Sequence, residues 1–329
     1  MNPTQPADAT GAEPQRPKLS PTYFAPRYWG TWLGLGLLWL LQLLPRSATK
    51  ALAPVLAWLL RQGSPKRRHF AEINLRWCFP EDTEERREAL LREHFRCAAQ
   101  CLLDYGVLWF GSTKTLERLI HVQGAEHYRR MEAEGRPAII LAPHFLSLDH
   151  GGVRLSRLID GVSFAKPMRN PVVEWINQRS RTRYRADIFS RAQGLRPVIR
   201  EMRKGRSFYY LPDEDLGKEG AIFVTFFGVP KATLTSLARL VRITGAGVLP
   251  TCTYYDRDTD RYVVKLWPPL EAYPSGDETA DTRAMNAAIE ACVAEAPAQY
   301  LWTMRMFRTR PGGVPGPYRL GSDSSRPKC

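Results

Sequence analysis

Apolar residues crowd the first fifth of the chain and then settle into two different rhythms. Residues 1–22 are rich in Pro, Ala, Thr and Gln and show no periodicity, which predicts a disordered lead-in. From Tyr28 to Pro45 the chain reads YWGTWLGLGLLWLLQLLP without one charged residue. About seventeen residues of helix would cover roughly 26 Å at 1.5 Å per residue, just short of the roughly 30 Å hydrocarbon core of a bilayer. The segment reads as a marginal single span or a deeply embedded anchor. Together with the apolar run ALAPVLAWLL at 51–60, it predicts an N-terminal hydrophobic membrane-anchor helix within an anchor region over 23–64. A secretory signal peptide fits less well, because the stretch starts late, holds three tryptophans and lacks a small-residue cleavage site.

Further along, PEDTEE at 80–85 resembles a capping box, and Leu91, Phe95, Ala98, Leu102 and Leu103 recur at helical spacing, predicting a long amphipathic helix to about Phe110. From residue 136 short apolar runs alternate with helical patterns. Strands are predicted over 137–143, 161–165, 207–211, 221–226, 247–254 and 261–267. Helices are predicted over 147–158, 171–183, 193–204, 232–243 and 280–296. This alternation implies an α/β fold with a mixed central sheet flanked by helices, in one domain over 65–319, followed by a flexible tail over 320–329.

Charge sharpens the picture. Lys and Arg number 47 against 33 Asp and Glu, a formal net charge of +14, and hydrophobic residues make up 44%, which excludes disorder of the whole chain. Arginine supplies 37 of the 47 cations, and its planar fork suits phosphates and carboxylates, so the expected partners are anionic. Residues 46–76 carry seven Lys or Arg against Glu72 alone, whereas residues 1–27 carry three against two acids, which places the bulk of the protein in the cytoplasm by the positive-inside rule. Lys66-Arg67-Arg68 is either a solvated helix start or, beside an apolar anchor, a contact for anionic headgroups. Residues 166–206 hold ten Arg and two Lys against three acids, a concentration that fits either a solvated helix face or a surface for phosphates or an acidic protein. The six scattered cysteines form no readable disulfide framework or zinc knuckle.

Familiar catalytic signatures are missing: no G-x-S-x-G, no Walker A, no H-E-x-x-H and no complete G-x-G-x-x-G follow the first strand of the α/β region. What stands out is the end of that strand, His144-Phe-Leu-Ser-Leu-Asp149-His150-Gly151-Gly152. Loops after the carboxyl ends of strands are where α/β sheets bind ligands. A histidine and an acid there form a candidate base and orienter. Five residues along one ideal helix would leave the two side chains about 140° apart, so His144 is expected in the loop or cap and Asp149 in the first helical turns. A chance spacing with Asp149 as a capping residue is the plainer alternative. A metal site from His144, Asp149 and His150 lacks a fourth ligand. Asp213 after SFYYLP is either a turn cap or a site residue, and Thr233 and Thr235 precede a helix that they could cap.

The motif His-x-x-x-x-Asp behind an N-terminal anchor resembles the glycerolipid acyltransferases. More closely, the chain is similar to the lipid A biosynthesis lauroyl and myristoyl acyltransferases of Gram-negative bacteria. The resemblance is carried by PRYWGTWLGLGLLWLLQLLP (26–45), NLRWCFPEDTEERR (74–87), HFLSLDHGG (144–152), NPVVEWINQRSRTR (170–183), YYLPDEDLGKEGAIFVTFFGVPKATLT (209–235) and APAQYLWTMRMFRTRPGGVPGPY (296–318). It implies a glycerolipid-acyltransferase-like domain over 65–319. It also implies transfer of a fatty acyl chain from acyl carrier protein to a hydroxyl of a hydroxyacyl chain on a lipid A precursor, at the cytoplasmic face of the inner membrane. His144 would be the base and Asp149 its orienter, with Arg181 and Asp213 matching the family's essential arginine and aspartate in substrate binding. No metal or other cofactor is implied. The implied partners are an acidic acyl carrier protein, the lipid A precursor and anionic membrane lipids. Asp149 stands where this family commonly has Glu, so a lysophospholipid, an ornithine lipid or another glycolipid is the alternative acceptor. A nucleic-acid-binding protein would explain the charge but not the anchor, and no nucleic-acid motif is present.

Overall fold

The computed structural model describes Glu13, Pro14 and residues 16–318; most of the expected lead-in and the expected tail lie outside the described residues. Four helices come first: α1 (Trp29–Leu41), α2 (Arg46–Gly63), α3 (Pro65–Cys78) and α4 (Glu84–Phe110). Two more, α5 (Thr113–Leu119) and α6 (Ala125–Ala133), flank the strand β1 (Ile120–Gln123). Then strands and helices alternate through β2 (Ala138–Leu141), α7 (Leu148–Leu155), β3 (Gly161–Ala165), α8 (Pro171–Arg181), β4 (Ala186–Ser190), α9 (Arg196–Met202) and β5 (Ser207–Tyr210). A hairpin of β6 (Ala221–Phe226) and β7 (Val229–Leu234) leads into α10 (Ser236–Thr244), β8 (Gly247–Asp256), β9 (Arg261–Leu266) and α11 (Glu278–Glu295).

Seven strands form one mixed sheet in the order β1-β9-β8-β2-β5-β3-β4. β8, β2, β5, β3 and β4 run parallel, β9 is antiparallel to β8, and β1 is parallel to β9. β2 lies near the centre, and its four residues AIIL are all buried. The two-residue period sends Ile139 and Leu141 into one core with α11 and the packed parts of α3 and α4, and Ala138 and Ile140 into a second core with α6, α7 and the C-terminal half of α4. Both faces of the sheet are therefore covered, as parallel strands require.

Local chemistry explains most element ends. Asn170 caps α8 by accepting from the amides of Val172 and Val173, with Pro171 in the first turn. Thr83 caps α4 by accepting from the Arg86 amide; with Arg at the third helical position the expected capping box is reduced to a single-sided cap. The helix expected over 232–243 begins later, because Phe227 and Gly228 adopt positive φ (48° and 71°) and turn the chain back as β7, which pairs with β6 through Leu234.

At the N-terminus the uncharged stretch does not continue as one helix. α1 ends at Leu41, a turn follows, and α2 starts after Pro45. Thirteen residues of α1 extend about 20 Å, and among the described residues no helix is long and apolar enough to cross a membrane. Both helices instead lie on α4. Gly106 permits the crossing, since a β-carbon there would meet the Leu38 carbonyl oxygen at 2.3 Å. Arg46 ties α2 down by donating to Asp104 on α4 (2.5 Å) and to Asp260 in the β8–β9 turn (2.7 Å).

The two adjacent glycines of α7 do different work. A β-carbon on Gly151 would meet Thr253 Oγ1 on β8 at 1.9 Å, so its absence seats α7 on the sheet, whereas Gly152 borders a cavity. Gly151→Ala is expected to cost about 1–3 kcal/mol by overpacking, read as a lower urea midpoint, and Thr253→Ala in the same chain should recover part of the loss. An unchanged midpoint in the single variant would contradict this seating.

Candidate active site

The centre of the site follows from strand register. β2 and β5 are parallel neighbours, pairing Ile139 with Phe208, Ile140 with Tyr209 and Leu141 with Tyr210, and the Ala142 amide donates onward to the Tyr210 carbonyl. The same offset of 69 residues continues into the loops, where His144 faces Asp213. The His144 amide donates to Asp213 Oδ2 at 2.7 Å and its Nδ1 lies 2.6 Å from Asp213 Oδ1. Tyr300 donates a third hydrogen bond to Asp213 Oδ2 at 2.9 Å. The segment around Tyr300 also holds the loop, as Leu301 donates to the His144 carbonyl and the Leu146 amide donates to that of Gln299.

Asp213, rather than Asp149, is therefore the carboxylate that orients His144. This corrects the expected pairing. Asp149 does lie at the start of α7, but both of its oxygens are occupied: Tyr105 on α4 donates to Oδ2 at 2.8 Å, and Arg181 at the end of α8 donates from Nε to Oδ1 at 2.8 Å. The four residues singled out from the sequence are thus two pairs, each around a buried carboxylate, His144 with Asp213 and Arg181 with Asp149. The second pair locks α7 against α8 and α4. The set weighed for a metal disperses, since His150 stacks on Tyr262 at 4.4 Å and does not line the cavity that His144 borders. Among the described residues no three His, Cys, Asp or Glu side chains cluster as ligands. Thr233 is buried and bonds to the Lys231 carbonyl and Asn286, and Thr235 makes no side-chain cap.

Burial disfavours charge on His144, yet the adjacent Asp213 charge and hydrogen bond outweigh it and raise the imidazole above its ordinary value. Burial likewise works against the Asp213 carboxylate, but His144 holds it below the usual range. With Nδ1 held by Asp213, Nε2 is left at the cavity, with Glu214 Oε1 4.0 Å away. An imidazole held in this way, with its tautomer and direction fixed, can serve as a general base.

His144 stands at the mouth of a cavity of about 270 Å³. Glu214, Arg191 and Lys166 surround the mouth at the carboxyl edge of the strands, and Ile140, Leu148, Val153, Leu155, Val162 and Ile188 line the interior. All five residues of β3 border it, so it extends roughly 13 Å at about 3.3 Å per strand residue. Arg181 lies in its wall, its charge already committed to Asp149.

Four contributors were not picked out in the sequence. Tyr105 and Tyr300 carry no local signal, because each reaches the site from a distant element. Glu214 was hidden in the acidic run beside Asp213. Lys231 had one visible mark, a lone cation in the strand VPKATL. It is fully buried, its amine has no hydrogen-bond partner among the described residues, and the charges of Asp213, Asp215 and Glu214 partly offset the burial that lowers its pKa.

Comparison with known proteins places the chain among relatives along nearly its whole length. The family model described as "Bacterial lipid A biosynthesis acyltransferase" matches residues 16–309. A "Lipid A biosynthesis acyltransferase" of Haemophilus influenzae is 36% identical over 293 residues, covering 89% of this chain and 92% of that protein. The "Lipid A biosynthesis lauroyltransferase" of Escherichia coli K12 is 34% identical, covering 92% and 99%. Among solved structures, a 1-acyl-sn-glycerophosphate acyltransferase of Thermotoga maritima aligns at 18% identity and a TM-score of 0.36, over 78% of this chain and 99% of that one.

The state of the imidazole can be checked without substrate. A histidine NMR titration should place His144 above the ordinary value near 6.5, and Asp213→Asn should move its midpoint to lower pH, since loss of the anion removes what favours the imidazolium. Asp149→Asn should leave that midpoint closer to the wild-type one. A midpoint that moves with Asp149 and not with Asp213 would overturn the pairing.

Proposed function

Since the chain belongs to the bacterial lipid A biosynthesis acyltransferase family and is an acyltransferase, we propose that it transfers a fatty acyl chain from acyl carrier protein to a hydroxyl of a hydroxyacyl chain on a lipid A precursor. The observation that carries this reading is the His144–Asp213 pair at the mouth of an apolar cavity. The acyl chain of the donor thioester occupies the cavity, which leaves its carbonyl carbon beside His144. Nε2 takes the proton of the acceptor hydroxyl as that oxygen attacks the carbonyl carbon, and Asp213 stabilises the imidazolium that forms. Collapse of the tetrahedral intermediate makes the ester and breaks the carbon–sulfur bond. The departing thiol of the carrier recovers the proton from His144. Lys166 at the mouth, beside Arg191 in its ion pair with Glu214, supplies positive charge for the acidic carrier and the phosphorylated acceptor.

Asp149 and Arg181 serve this reaction by position. Their ion pair fixes α7, whose first turn follows directly from the His144 loop, so they act through the geometry of the base. In this reading no cofactor is used, because an alcohol and a thioester exchange an acyl group with proton transfer alone.

The reading places the protein on the cytoplasmic face of the inner membrane, held by the apolar surfaces of α1 and α2 lying in the interface. Leu33 and Trp29 on α1 are 77% and 64% exposed, and Val55, Trp58 and Leu59 on α2 are exposed as well. Lys66, Arg67 and Arg68 open α3 next to them, where anionic headgroups attract each cation by about 1 kcal/mol.

The enzyme reading is tested by giving lauroyl and myristoyl carrier-protein thioesters to purified protein with a lipid A precursor and a lysophospholipid in competition, and weighing the products. A mass gain on the lipid A precursor is expected, and His144→Ala should lower turnover by about 10²–10⁴-fold. A gain on the lysophospholipid alone would move the acceptor, and full turnover by the variant would remove His144 from the base role. Replacing Leu33 and Trp58 together by Glu should weaken sedimentation with anionic vesicles; unchanged sedimentation would remove α1 and α2 from the membrane contact.

A further inference from the structure

A second hollow, separate from the catalytic cavity, lies between α1, the end of α4 and α8, with a volume of about 740 Å³. That is within the roughly 300–1,000 Å³ of small-molecule sites. Its walls are Trp32 and Trp39 of α1, Trp109 of α4 and Trp175 of α8, with Arg179 and Arg183 at its edge and no carboxylate in the lining. Neither arginine has an acidic partner among the described residues. Arg179 lies over the Trp175 ring at 5.8 Å and Arg183 donates to the Gly111 carbonyl. The indole N–H of Trp109 is buried without an acceptor.

We infer that this groove binds one anionic phospholipid of the bilayer, its chain against the tryptophans and its phosphate on Arg179 and Arg183. Three observations select that occupant. Two guanidinium groups with no acidic partner beside an apolar trough match a molecule that is apolar at one end and anionic at the other. The groove is continuous with the exposed apolar surface of α1, through Trp39 and its neighbours Leu37 and Leu40. α8 also turns Arg181 into the catalytic cavity and Arg179 into the groove, where Arg183, two residues past the end of the helix, joins it, so a lipid seated here does not present its chain to His144. Residues 1–12 offer only Met1 as a large apolar side chain and are poorly suited to fill an aromatic trough. The inference rests on the membrane-facing reading of α1 and α2.

The four groove tryptophans are built-in reporters. Full-length protein in maltoside micelles is titrated with phosphatidylglycerol carrying dibrominated chains, and separately with the matching phosphatidylcholine, while tryptophan quenching is followed. Saturable quenching is expected, tighter for phosphatidylglycerol by about tenfold or more on the strength of two cations, with one such lipid retained in native mass spectrometry. Arg179→Gln with Arg183→Gln should bring the two lipids to equal affinity. Gly36→Phe should abolish the saturable phase, since Gly36 borders the groove and a β-carbon there meets nothing within 4 Å. Equal affinity for both lipids in the wild type, or unaltered phosphatidylglycerol binding in both variants, would overturn the inference. Displacement of the brominated lipid by an equimolar lipid A precursor would overturn the bilayer-lipid assignment and make the groove an acceptor subsite. Micelle titration and vesicle sedimentation are separate readouts, so failure of the groove and failure of the membrane reading are told apart.

Discussion

The parallel register between β2 and β5 is the constraint on which the site depends. It brings two loops side by side that are 69 residues apart in sequence, and it sets His144 against Asp213 with two contacts, one through the backbone amide and one through the ring. Because the amide and Nδ1 of His144 bind the same carboxylate, rotation of the imidazole is tied to the position of the loop itself. Asp213 has three partners for its oxygens, so its burial is compensated; removing one partner from such a buried charge typically costs about 3–5 kcal/mol. The alternating burial of β2, with Ile139 and Leu141 in one core and Ala138 and Ile140 in the other, makes a one-residue slip of that register incompatible with packing on either face.

Beside this pair the protein builds a second contact. Asp149, Arg181 and Tyr105 come from three different helices and meet around the buried Asp149 carboxylate, which fixes the helix that starts just beyond His144. Gly151 and Gly152 complete the arrangement by opposite means, one letting α7 approach β8 and the other leaving space for the cavity. Two glycines in the middle of a helix cost roughly 1 kcal/mol each relative to alanine. They remain compatible with a helix here because α7 is pinned at its start by an ion pair and along its length by the sheet.

What the sequence revealed follows the same physics. Interior strands carry strong apolar runs, and β3 has the expected limits of 161–165, while β6 in the separate hairpin matches 221–226. β1 and β4 escaped because they are the two edges of the sheet; IHVQ and ADIFS are half polar, as strands buried on fewer sides are. β7 escaped because Pro230 and Lys231 read against a strand, and Pro is tolerated there only because the hairpin stands outside the main sheet. His144, Asp149, Arg181 and Asp213 were all legible as residues, while their pairing was not. Proximity in sequence favoured Asp149 as the partner of His144, whereas the strand order β2-β5-β3 brings a more distant aspartate closer in space. Local spacing reports helices and turns; it carries no information on which strand lies beside which.

The N-terminal third shows how an apolar run is divided between protein and surroundings. A continuous span would use every side of its helix against lipid, but α1 gives Leu35 to a cluster with Val172 and Ile176 of α8 and keeps Leu33, Leu37 and Leu40 exposed. Breaking the run after Leu41 lets α2 return along α4, where Arg46 is held by two carboxylates. The result is an apolar surface on a helix pair whose other side is fastened to the domain. α8 touches both α1 and α7, so the helix that backs the apolar surface is also the one whose Arg181 holds Asp149 at the start of α7. A change in how α1 sits must therefore be absorbed within α8 or reach the Asp149–Arg181 pair, because densely packed helices have little room to yield independently.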